Sequence, residues 1–111
     1  MTSVPKPRRP ARGSQTGRPI MALLDLLGRR WTLRIIWELR EEPLTFRGLQ
    51  ARCEGMSSSV LSQRLTELTA AEIAESALGG YRLTAEGRRL MALYPPLQSW
   101  AERWEKRNRD V

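Results

Sequence analysis

Between Thr45 and Leu68 the chain places its residues in an order that few folds accommodate. Thr45 is a capping residue, Phe46, Leu49 and Cys53 follow at helical spacing, and Gly55 supplies a turn. Ser57 is a second capping residue, after which Val60, Leu61, Leu65 and Leu68 fall within one arc of a helix expected to run to about Ala71. A short helix, a glycine turn and a second, amphipathic helix make a helix-turn-helix, the motif that sets its second helix in the major groove of DNA.

The face opposite that arc carries Ser59, Ser62, Gln63, Thr66 and Ala70, with Ser58 at its edge. No acid occurs from Met56 to Thr66, which suits a surface turned toward phosphate. Gln63 has the amide geometry for a paired contact with adenine N6 and N7, while Ser59 and Ser62 suit base edges or phosphates. Ser57 and Ser58 stand at the helix N-terminus, where backbone N–H groups favour an anion. Thr45 and Arg47, on the first helix of the motif, complete the set of expected DNA contacts on these two helices. An ordinary solvated helix face with capping serines would share this composition. Arg64 falls between Val60 and Leu61 on the helical wheel. It is expected to lay its stem on the core and pair with a carboxylate such as Asp25 or Glu38 rather than read a base.

The flanking sequence supplies further elements. Ile20 to Leu27 reads as a short helix with Pro19 at its start, Gly28 at its end and Ile20, Leu23, Leu24 and Leu27 as its apolar positions. Trp31 to Arg40 reads as the next helix, with Trp31, Ile35, Ile36 and Leu39 facing inward and Pro43 stopping it. Ile73–Leu78 and Tyr81–Leu83 flank Gly79-Gly80 and predict a hairpin turning at the two glycines. Arg82 is the hairpin's cation and should point away from Tyr81 and Leu83, toward solvent or phosphate. Thr84 should cap a last helix reaching about Arg107, bent or broken in the middle at Pro95-Pro96. The expected fold is mainly α: a winged helix-turn-helix with a short β-hairpin wing and N- and C-terminal dimerisation helices.

Charge divides the chain in two. The formal net charge is +7, yet residues 1–18 hold Lys6, Arg8, Arg9, Arg12 and Arg18 and no acid, which leaves fourteen basic against twelve acidic residues elsewhere. Rich in Pro, Arg, Gly and Ser, residues 1–18 are expected to be a disordered basic arm for a polyanion, followed by a DNA-binding domain over 19–111. The chain has no histidine, the commonest general base and zinc ligand, and no set of residues assembles into a catalytic site. Its one cysteine excludes an internal disulfide and suits a reducing, cytoplasmic setting. No secretory signal or membrane-spanning stretch is apparent. The expectation is therefore no enzyme, no cofactor and no metal.

The last helix carries Leu93, Leu97, Trp100 and Trp104 on one face, a large apolar load for a small domain. Together with Ile20, Leu23, Leu24 and Leu27 these are expected to form a homodimer interface, spacing two recognition helices about 34 Å apart on a palindromic operator in double-stranded DNA. A small pocket for an effector could form between the dimer helices near Trp31, Trp37 and Trp100.

These motifs resemble those of the HxlR family of bacterial winged-helix transcriptional regulators over about Pro19 to Trp104. The likeness rests on Leu24 through Thr32, on Phe46-Arg47-Gly48-Leu49, on Gly55-Met56-Ser57 with Val60 through Leu68, on Tyr81 through Gly87, and on Trp100. The resemblance implies a dimeric DNA-binding regulator that pairs through its first and last helices. Arg18 stands where many members carry a cysteine that some use as a redox or aldehyde sensor. Cys53 stands at a family apolar position, the wing is several residues shorter than usual, and Glu72 replaces a glycine expected after the recognition helix. The sequence thus points to a dimeric, sequence-specific transcriptional regulator. The alternative is a low-specificity architectural DNA binder or a winged-helix module for protein partners.

Overall fold

The computed structural model describes residues 18–109. Its elements run α1 (Pro19–Leu27), α2 (Thr32–Glu38), α3 (Phe46–Arg52), α4 (Ser58–Ala70), β1 (Ala74–Ala77), β2 (Gly80–Leu83), α5 (Ala85–Met91) and α6 (Tyr94–Arg109). This is the winged helix-turn-helix order. Apart from Arg18, the basic arm expected over residues 1–18 lies outside the described residues.

The core joins α2, α3 and α4. Ile35, Ile36, Leu49, Cys53, Leu61, Leu65 and Leu68 have almost no exposed surface, and Leu26, Leu39, Met56, Ile73, Ala74 and Leu83 close around them. Each large aliphatic side chain buried here is worth about 1.5–3 kcal/mol. The caps are those the residue types favour: Thr45 Oγ1 accepts from Gly48 N, Ser57 Oγ from Val60 N and Thr84 Oγ1 from Gly87 N.

Helix α1 buries Ala22 and Leu26, whereas Ile20 and Leu24 are exposed. Local expectations for the next elements are corrected. Trp31 is not the first turn of α2 but its N-cap, in the left-handed region at φ 76°. Helix α2 ends at Glu38, well before Pro43, and the Trp37 carbonyl at that end accepts from both the backbone N–H and Nη1 of Arg40.

The hairpin turns one residue earlier than expected. Ala77 pairs with Gly80, so the turn is Leu78-Gly79. Gly80 serves a different purpose. Leu44 forms an antiparallel bridge to Tyr81 with bonds of 2.9 and 2.8 Å, and a Cβ on Gly80 would lie 2.2 Å from the Leu44 carbonyl oxygen. Glycine is there for the close approach of a third extended segment.

The last helix is two helices. Ala92 closes α5, and Pro95 and Pro96 fall in the first turn of α6, where a missing N–H leaves no helical bond broken. No residue of α6 is buried. Its first residue, Tyr94, packs on Trp37 of α2 with ring centroids 4.5 Å apart. Among the described residues no helix is long and apolar enough to cross a membrane.

Candidate nucleic-acid interface

Helix α4 is oriented from beneath. On its inward side Leu61, Leu65 and Leu68 are buried, and so is Glu67, 2% exposed. An interior carboxylate needs its charge matched. Arg29, from the turn between α1 and α2, reaches Glu67 at 2.7 Å, and Arg64 reaches it from one turn back at 3.0 Å. Arg29 also approaches Asp25 of α1 at 3.4 Å, and Arg64 Nε donates to the Arg30 carbonyl at 2.9 Å. These contacts fix α4 against the α1–α2 turn, in rotation as well as in position. Arg64 is turned inward as expected, but its carboxylate is Glu67. Asp25 pairs with Arg29, and Glu38 is occupied by Arg34 and Arg52. Glu67 was missed although it falls beside Val60 within the inward arc and three residues after Arg64, the spacing of a helical ion pair.

With that side fixed, the outward side is determined. Ser57, Ser58, Ser59, Ser62, Gln63 and Thr66 are all exposed, as are Thr45 and Arg47 on α3 and Arg82 on β2. Part of this polar set is engaged within the fold. Ser57 Oγ holds the Val60 N–H and shares a hydrogen bond with Ser59 Oγ at 3.2 Å. Thr66 Oγ1 donates to the Ser62 carbonyl, and Thr45 Oγ1 is taken by its cap. Arg82 Nε donates to Glu75 across the hairpin at 2.7 Å, so the wing's cation is already paired.

The turn within the motif bends at Gly55, whose φ of 88° suits glycine. Glu72, just after α4, takes the same region at φ 61°, and Thr84 Oγ1 donates to its carbonyl at 2.6 Å. Cys53 is fully buried, and burial pushes its thiol pKa up. A protonated, shielded thiol behaves as a small core side chain.

The residues expected at a dimer interface divide. Ile20, Leu24, Leu93, Leu97, Trp100 and Trp104 are exposed, whereas Leu27 packs against its own core and Leu23 is half-buried, lining a cleft of about 220 Å³ with Leu26 and Leu90. Leu33 of α2 is a further exposed apolar residue that the sequence did not single out. Trp31 lines a cleft with Arg34 and Arg52, Trp37 packs on Tyr94, and Trp100 stacks on Trp104.

A buttressed helix with an acid-free polar face, a capped helix before it and a hairpin after it define a DNA-binding transcriptional regulator of the winged helix-turn-helix class. The model of the HxlR-like helix-turn-helix family matches residues 26–109, and the chain belongs to that family. It is 33% identical over 87 residues to the HTH-type transcriptional regulator YodB of Bacillus subtilis, an alignment covering 72% of this chain and 78% of YodB. It is 27% identical over 88 residues to the regulator YvaP of the same organism, covering 73% and 82%. The crystal structure of quinone-bound YodB superposes with a TM-score of 0.72 at 33% identity, covering 76% of this chain and 96% of that one. A MarR-family regulator from Enterococcus faecalis shares the fold, with a TM-score of 0.75 at 21% identity over 91% of this chain and 98% of that one.

Proposed function

We propose that this regulator acts in the cytoplasm as a homodimer on a palindromic operator in double-stranded DNA, each protomer presenting α4 to one of two successive major grooves. The observation that carries this reading is the outward face of α4, polar and free of acids from Ser57 to Thr66, on a helix whose rotation is set by the Glu67 ion pairs. Gln63 is assigned to a base edge. Ser57, Ser58, Ser59, Ser62 and Thr66 are assigned to nearby base edges or phosphates, and Thr45, Arg47 and Arg82 to phosphates. Ile20, Leu24, Leu93, Leu97, Trp100 and Trp104 form the pairing surface, since no residue of α6 is buried within its own protomer. Residues 1–18 act as a basic arm on the DNA backbone and 19–111 as the binding domain.

One observation favours the low-specificity reading: Arg82 is tied to Glu75, which weakens the wing as a phosphate grip. Selection of duplexes from a random-sequence pool by the purified protein, followed by affinity measurements at several salt concentrations, separates the two. The specific regulator enriches one palindrome and binds it at least about a thousandfold more tightly than random duplex. Uniform affinity across the pool overturns it. The quinone bound by YodB raises a sensing role, but Cys53, the one cysteine of this chain, is buried and burial pushes its thiol pKa up, so we assign it to the core.

A further inference from the structure

Helix α1 carries two different surfaces on nine residues. Ile20 and Leu24 stand exposed on it, while the next residue, Asp25, has a side chain only 16% exposed and approaches Arg29 at 3.4 Å. The helix has little of its own to hold it: Arg18 caps it without a side-chain hydrogen bond, and no acid stands in its first turn. A helix this short is marginal by itself and takes its order from what packs on it.

Arg29 stands on a turn that is closed on both sides. Its N–H donates to the Leu26 carbonyl and its carbonyl accepts from Thr32 N, each at 3.2 Å, and Trp31 follows in the left-handed region. From that turn its Nη2 meets Asp25 of α1 and its Nη1 meets Glu67 of α4, the latter at 2.7 Å. Glu67 is held in addition by Arg64, the residue after Gln63. A line of alternating charge thus joins the helix with the exposed Ile20 and Leu24 to the helix assigned to the major groove. None of its side chains is more than 17% exposed, so solvent screens them weakly and displacing one is felt by the next.

We propose that Arg29 is a positioning residue for DNA binding, carrying the state of α1 to α4 through Asp25 and Glu67, so that covering α1 with a second chain raises each protomer's own affinity for its half of the operator. The covering chain orders α1, Asp25 then holds the guanidinium, and α4 meets the groove with its rotation already set. Ordering supplied by one contact need not be supplied again by the next. This differs from the gain of joining two binding modules, which needs no change within either protomer. It rests on the paired-regulator reading above.

The experiment uses the full chain and a duplex carrying one half of the palindrome that the wild-type protein selects, too short for a second protomer to reach. Half-site affinity is measured for paired wild-type protein and for the unpaired state, reached by dilution or by Leu97→Glu, each with and without Asp25→Asn. Asparagine keeps the size of the side chain, removes its charge and leaves Glu67 both of its guanidinium groups. The expected result is that the paired protein binds the half-site about fivefold or more tightly than the unpaired chain, and that Asp25→Asn abolishes the difference by weakening the paired protein alone. Arg29→Lys keeps a cation for Glu67 but lacks the fork that spans two carboxylates, and should do the same. Equal weakening of paired and unpaired chains would make the role merely structural and overturn the proposal. So would a difference that survives both substitutions, or loss of pairing in Asp25→Asn, which would put Asp25 in the pairing surface. If the wild-type chain never pairs or selects no duplex, the regulator reading fails and this coupling with it. Equal half-site affinity, paired and unpaired, in a chain that pairs and binds its palindrome overturns the role of Arg29 alone.

Discussion

Glu67 brings a negative charge into the interior beneath the outward polar side of α4, and two guanidinium groups within 3.0 Å hold it there. Removing one partner of such a cluster leaves the others facing a poorly solvated space. Glu67→Ala is expected to lower stability by about 3 kcal/mol, with Glu67→Gln intermediate, as read by denaturant melts. Gln63→Ala is expected to leave stability nearly unchanged and to relax preference at one base position of the selected operator, costing about 1–3 kcal/mol on that site. An equal loss on every sequence would show that Gln63 does not read a base. At this scale the sequence shows which residues face outward, because the 3.6-residue period separates serines and Gln63 from leucines. It does not reveal partners. Arg64 could be assigned inward from its place on the wheel, but choosing Glu67 over Asp25 or Glu38 depends on how α1 and α2 lie against α4.

Among the elements, the hairpin shows where local signals stop. A Gly-Gly pair between two apolar runs reads as a turn, and the structure turns one residue earlier because Gly80 is claimed by the Leu44 backbone. That approach joins residues far apart in sequence, and no local pattern announces it. Gly80→Ala is expected to cost at least about 1–3 kcal/mol, since the intruding methyl meets backbone that cannot rotate away. In hydrogen exchange the amides of Leu44 and Tyr81 should then exchange faster than those of Leu61 or Leu65. Unchanged protection at Leu44 would show that the bridge survives the substitution. Proline was informative: of the bend or break expected at Pro95-Pro96 the structure has the break, and the two prolines fall in the first turn of α6, which suits them. The caps at Thr45, Ser57 and Thr84 were legible outright, since each depends on bonds only three residues away.

For the whole molecule, the decisive feature is a helix of sixteen residues that buries none of them within its own protomer. Leu97→Glu, in the middle of the exposed row of Leu93, Leu97, Trp100 and Trp104, is expected to convert a two-chain species into a one-chain species in sedimentation. The α2–α4 core should still unfold cooperatively, and affinity for the palindrome should fall by about a hundredfold or more. A two-chain species that persists would move the pairing surface elsewhere. The helix-turn-helix was readable from sequence because its elements adjoin along the chain, whereas the covering of α6 involves contacts that one chain does not contain. A helix with little of its own molecule to lean on forms fully only when something arrives to cover it. If that something is an identical chain, dilute solutions hold assembled pairs in proportion to the square of the total amount. Operator occupancy would then rise as a threshold in cellular abundance rather than in simple proportion to it.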